Sequence, residues 1–161
     1  TNQRKGLNII MDMCKYTSLT RKEMLSIINC AKLCTLGTYN ALANSISMVP
    51  MWYTFSFDNS QMNFYFFSPS KGEKMDNMSL TEDTSVSILI PFSKLTNKGH
   101  ISILARGYES DIIDKCEITN IIHKFLNKYG HHSCLFSSNR NVDLTFFKVT
   151  VSCLSGRIYN Y

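Results

Sequence analysis

Two periodicities of apolar residues divide this chain into elements. Ile101, Ile103 and Ala105 alternate with Ser102, Leu104 and Arg106, the period of a half-buried strand that runs through Gly107 and Tyr108 to about Ser110. Ile118, Ile121, Ile122, Phe125, Leu126 and Tyr129 instead follow a helical stripe. Asp114 opens it with Glu117 three residues on as capping partner, and Gly130 stops it. An earlier helix is announced by Thr20-Arg21-Lys22-Glu23, a capping box, after which Met24, Ile27, Ile28 and Ala31 share a face that reads as core packing. Further strands are predicted at 33–38, 46–55, 61–67, 85–90 and 143–152, the last extending toward Tyr159. Pro50 cannot donate to a ladder and marks an edge or a bulge in its strand, and Pro91 is expected to close the strand from Ser85. Turns fall at 40–45 and at Asp58-Asn59-Ser60, and polar loops at 92–99 and 131–141.

About six strands and three helices result, joined by hairpin-type connections. Strands and helices do not alternate regularly, which argues against a doubly wound parallel sheet. The expected fold is mainly β: a small antiparallel barrel with peripheral helices. Residues 1–17 read as a polar arm and 18–161 as a single domain.

Composition narrows the class. Of 161 residues, 44% are hydrophobic and only 18% charged, as expected of a packed domain and not of a disordered chain. The net charge of +5 favours anionic ligands, but the basic residues form no run of the kind that binds nucleic acid. No apolar segment reaches membrane-spanning length and no signal peptide is visible, so no membrane partner is expected. Six cysteines form no C-x-x-C pair, and unpaired thiols point to the cytoplasm. Cys30 and Cys34 have a poor metal spacing. His131-His132 lacks completing ligands, so no metal site is expected. His100 and His123 read as surface residues, and Trp52 mostly as core, with a wall for stacking a planar ring as its minor alternative.

The most chemically suggestive stretch is 62–80. The aromatic strand Phe64-Tyr65-Phe66-Phe67 breaks at Ser68-Pro69-Ser70, and helical spacing follows through Met75 and Met78. Ser68, Ser70, Lys71, Gly72 and Lys74 gather around that helix start. There backbone N–H groups, hydroxyls, ammonium groups and the positive end of the helix dipole suit a phosphate. A basic surface turn is the plainer reading of the same residues. The strand around Pro50 has a similar double reading. A bulged edge could offer backbone groups to a planar heterocycle, or it could be an ordinary edge guarded by proline.

Three pieces in order resemble the pyridoxamine 5′-phosphate oxidase-like FMN-binding split-barrel proteins, and among them the nitroimidazole-resistance branch. The most specific is residues 65–78, Tyr-Phe-Phe-Ser-Pro-Ser-Lys-Gly-Glu-Lys-Met-Asp-Asn-Met. The others are Leu33 to Thr38 followed by Met48-Val49-Pro50-Met51, and Ser102 to Tyr108 with Arg106-Gly107. The resemblance spans roughly residues 18–158. It implies a six-stranded antiparallel split β-barrel and a homodimer with FMN at the subunit interface. It also implies Lys74 as phosphate-binding lysine, Lys71 as a second cation, and Phe66, Phe67 and Ser68 at the strand end lining the phosphate pocket. Met48, Val49, Pro50 and Met51 would face the flavin ring. Phe67 stands where the branch often has His, and no match to the oxidase's C-terminal Arg motif is claimed at Arg157, so pyridoxal phosphate synthesis is not implied.

The expected function is that of an FMN-dependent oxidoreductase passing electrons from NAD(P)H to a small acceptor such as a nitroaromatic or quinone-like compound. No catalytic side chain is assigned, because hydride transfer requires no acid or base from the protein. The alternative is a non-catalytic flavin- or haem-binding module. Haem would need an accessible ligand, for which His131 and His132 are the candidates.

Overall fold

The computed structural model describes residues 16–69, 85–93, 99–130 and 143–160. In chain order the elements are β1 (Tyr16–Ser18), α1 (Arg21–Cys30), β2 (Cys34–Asn40), β3 (Ser45–Met51), β4 (Thr54–Asp58), β5 (Gln61–Pro69), β6 (Ser85–Ser93), β7 (Gly99–Asp111), α2 (Lys115–Tyr129) and β8 (Leu144–Asn160). All strand pairs are antiparallel, in the order β3-β2-β6-β7-β8-β5-β4, with β1 added to β8. The sheet does not close: β3 and β4, its two ends, are joined only by Trp52 and Tyr53.

Local chemistry accounts for the elements. Glu23 N–H donates to Thr20 Oγ1 at 3.3 Å and Thr20 N–H to Glu23 Oε2 at 2.7 Å, so the capping box is complete. Asp114 caps α2 by accepting from Glu117 N–H at 2.8 Å, while the Glu117 carboxylate turns to Lys148 at 3.3 Å. Gly130 ends α2 at φ 93°, a conformation that suits glycine. The β4–β5 hairpin turns through Asn59 and Ser60, both at positive φ, between the paired Asp58 and Gln61.

Two apolar clusters lie on opposite faces of β5 and β8. Inside the barrel are Ile28, Leu36, Tyr53, Phe64, Phe66, Ile88, Ile90, Ile103, Phe147 and Val149. Outside, α2 lays Ile121 and Phe125 over Ile112, Phe146 and Phe67, with the Phe67 and Phe125 rings edge to face at 4.8 Å. That is why residues 64–67 are aromatic without alternation: this part of the sheet is covered on both faces. Each such side chain withdrawn from water contributes about 1.5–3 kcal/mol.

Some expectations need correction. The described sheet has eight strands, not six, because β1 forms across the expected boundary between the arm and the domain and the 46–55 segment splits into β3 and β4. No bulge occurs at Pro50. It pairs in register with Thr35 on a strand whose other side has no partner among the described residues, so the edge reading holds. Pro91 does not close β6, which continues to Ser93 opposite β7. Pairing with β2 ends at Leu89, so the proline sits where β6 is paired on one side only. Trp52 is not core: it is 39% exposed and stacks on Tyr129.

The bulge lies instead at Arg106/Gly107, where Ser152 is the extra residue on β8. A Cβ on Gly107 would stand 2.1 Å from Thr150 O, so the backbones can approach this closely only because residue 107 is glycine.

Candidate functional site

The residues predicted to hold a flavin divide between two strands. On β3, Ile46, Met48 and Pro50 are exposed, while Val49 packs on the barrel core and Met51 is buried. The strand thus presents an apolar strip beside an unpaired backbone edge. On β5, Phe66 is fully buried in the barrel, Phe67 is packed beneath α2, and Ser68 is buried. Lys71 and Lys74, the predicted phosphate-binding pair, the helix expected at 72–80, and His131-His132 all lie outside the described residues. Among the described residues no His, Cys, Asp or Glu cluster is suited to a metal.

The Trp52–Tyr53 junction, which ends the β3 strip, is tied to both helices. The Tyr129 hydroxyl, from the last residue of α2, accepts from Tyr53 N–H at 3.0 Å. Its proton faces the carbonyls of Tyr53 and Lys32, each at 2.9 Å. Tyr53 in turn donates from its phenol to Ile28 O at 2.6 Å, tying the junction to α1. Trp52 lies flat on the Tyr129 ring. Burial pushes the Tyr129 phenol up to about 12 and the Cys34 thiol up to about 12, so both stay protonated near neutrality.

A basic cleft of about 420 Å³ opens beside this junction. It is lined by Asn29, Lys32, Thr54, Phe55, Lys124, Asn127 and Lys128. Lys32 Nζ donates to Lys128 O, and Lys124 Nζ reaches Phe55 O at 3.5 Å. Lys128 Nζ lies 3.6 Å from the centroid of the Tyr53 ring. Burial, and then the charge on Lys32, push the Lys128 ammonium down to about 8. Sequence reasoning missed this cleft. The available signal was Lys124 and Lys128 four apart on α2, which looks like an ordinary solvated face until the fold sets it against Lys32 and Thr54.

No family model matches the chain, and no curated protein does. Solved structures do. A candidate 5-nitroimidazole antibiotic resistance protein from Bacteroides thetaiotaomicron is 22% identical with a TM-score of 0.70, covering 89% of this chain and 87% of that one. An FAD-binding protein from Mesorhizobium loti is 18% identical with a TM-score of 0.65, covering 89% and 96%. A candidate pyridoxamine 5′-phosphate oxidase from Corynebacterium glutamicum is 12% identical with a TM-score of 0.60, covering 90% and 94%. The open antiparallel sheet, its outer helix and these likenesses together identify the fold as a split barrel, shared with these solved proteins.

Proposed function

We propose that this protein binds FMN and acts as an oxidoreductase, passing electrons from NAD(P)H to a small acceptor such as a nitroaromatic or quinone-like compound. The observation that carries this reading is the β3 edge. Met48 and Pro50 form an exposed apolar strip, and the outer backbone groups of the strand have no strand partner among the described residues. Such an edge fits a planar ring that needs apolar contact on its face and hydrogen bonds at its polar rim. The fold's likeness to an FAD-binding protein and to a candidate pyridoxamine 5′-phosphate oxidase supports the same reading.

In this reading the chain supplies binding and orientation, and the flavin supplies hydride and electron transfer. Backbone groups of Met48 to Met51 orient the ring, and Ser68, Lys71 and Lys74 hold the phosphate. A second copy of the chain covers the ring and buries Ile46 and Met48, giving a homodimer.

The test is the visible spectrum of the purified protein, before and after heat release of ligand and after addition of FMN or FAD. A flavin spectrum with FMN in the supernatant, bleached by NAD(P)H, is the expected result. FAD in place of FMN would change the cofactor. A Soret band, or a colourless protein that binds neither flavin, would overturn the reading.

A further inference from the structure

The basic cleft shares none of the residues assigned to the flavin. Lys32, Lys124 and Lys128 line it, and among the described residues no carboxylate does. It lies where the C-terminal ends of α1 and α2 meet the start of β4, so part of this positive charge answers the negative helix ends. Lys32 does so visibly, by donating to the Lys128 carbonyl. Lys128 Nζ does not. It is covered from solvent, rests on the Tyr53 ring, and has no hydrogen-bond acceptor among the described residues. Thr54 Oγ1, on a residue only 4% exposed that also lines the cleft, is likewise covered and has no hydrogen-bond partner among the described residues. Covered polar atoms are ordinarily satisfied, and an ammonium and a hydroxyl without a partner at the wall of one cleft can gain an acceptor there once the Lys128 side chain turns off the Tyr53 ring and the Thr54 hydroxyl turns toward the cleft. Asn29 and Asn127 add amide groups, and Phe55 an apolar wall.

We propose that this cleft binds a small molecule through a carboxylate or phosphate group held by Lys124, Lys128 and the Thr54 hydroxyl, with Phe55 against its apolar part. A volume of about 420 Å³ admits a small aromatic or aliphatic acid or phosphate ester. An oxygen seated there supplies the acceptor that Lys128 and Thr54 lack, and charge-assisted bonds of this type are the strong ones.

The experiment is calorimetric titration of the full chain at neutral pH and constant ionic strength, in chloride-free buffer, with inorganic phosphate and separately with benzoate. Saturable one-to-one binding of at least one probe is expected, and which probe binds distinguishes phosphate from carboxylate. Lys124→Gln and Lys128→Gln should each weaken it by about tenfold or more, and Thr54→Val by a smaller factor. If Lys128→Gln fails to fold, the Lys124→Gln and Thr54→Val variants still decide the matter. Saturation with neither probe at tens of millimolar, or unchanged affinity in the variants, would overturn the proposal. The titration is repeated with FMN at saturation. Unchanged binding keeps the cleft separate from the flavin, whereas competition by FMN would overturn the separate site and assign the cleft to the flavin's phosphate. A protein that binds the anion but no flavin would sink the flavin reading and leave this one standing.

Discussion

Trp52 lies flat against Tyr129, with ring centroids 4.6 Å apart and planes 5° from parallel. The two residues come from the β3–β4 break and the last turn of α2. The hydroxyl of the same tyrosine meets the backbone of Tyr53 and Lys32. One side chain therefore satisfies backbone groups at the point where the sheet ladder is interrupted.

Tyr129→Phe keeps the stack and removes the hydroxyl. It leaves backbone groups of a part-buried junction unpaired, so a loss of about 1 kcal/mol in urea unfolding is expected. Trp52→Ala removes the stack and keeps the hydrogen bonds, with a stacking loss of about 0.5–1.5 kcal/mol. Equal stability of Tyr129→Phe and the parent would show that the junction does not depend on this clamp.

Gly107→Ala should be among the most damaging single-atom changes in the protein. The new methyl would meet backbone, Thr150 O at 2.1 Å, and backbone cannot rotate away as a side-chain tip can. The β7–β8 ladder must separate at the bulge, with an expected loss of more than about 3 kcal/mol. Circular dichroism on heating measures it, and an unchanged melting temperature would contradict the close approach.

Stability should climb with pH from about pH 8, once Glu109, whose carboxyl is raised by burial from 4.5 to about 7, has released the proton that opposes the climb. Lys128 is held down at about 8 by burial and by Lys32, from an ordinary 10.5. Above about pH 8 the unfolded chain keeps a proton that the folded one releases, so alkali favours the fold. From about pH 9 the Cys34 thiol opposes this: burial holds its proton to about 12, against 9.0 in the unfolded chain. Tyr129, raised from 10.0 to about 12, opposes it further. The urea midpoint should therefore rise to a maximum near pH 9 and then fall. Lys128→Met should abolish the rise and be the more stable protein at pH 7, and a parent midpoint that is flat from about pH 8 to 9 would contradict the burial of Lys128.

Lys74→Ala tests the phosphate anchor inferred from the sequence. Loss of one charge-assisted bond costs about 1.5–3 kcal/mol, so FMN should bind at least about tenfold more weakly by fluorescence quenching. FMN affinity equal to the parent's would remove Lys74 from the site.

Local rules carried much of the fold. Thr20 with Glu23, Asp114 with Gly130, and the alternation from Ile101 to Ala105 each express chemistry confined to a few neighbouring residues, and each appears in the structure where the sequence put it. What the sequence hid is set by distant partners. The break between β3 and β4 is held at Tyr53 by a residue 76 positions away. Pro91 is tolerated because β2 stops short of it. Arg106-Gly107 looked like part of a strand motif, and its reason became visible only with Thr150 opposite. For the site, Met48 and Pro50 were legible as an edge because proline has no N–H to give. The cleft was not legible, because three lysines and a threonine from separate elements share no pattern along the chain.

The order of the strands has a consequence for how the chain acquires its shape. β5 and β4 reach the rest of the sheet only across β8, which follows all seven other described strands in the sequence. Without residues 144–160 the ladder falls into two unconnected pieces, one of β3, β2, β6 and β7 and one of β4 and β5, and β1 loses its partner. On a ribosome, neither piece can close the common core while β8 is still in the exit tunnel. Folding must therefore wait until β8 has emerged, and its last step joins residues far apart in the chain, the kind of closure that makes β-rich proteins slow to fold and dependent on protection while they wait.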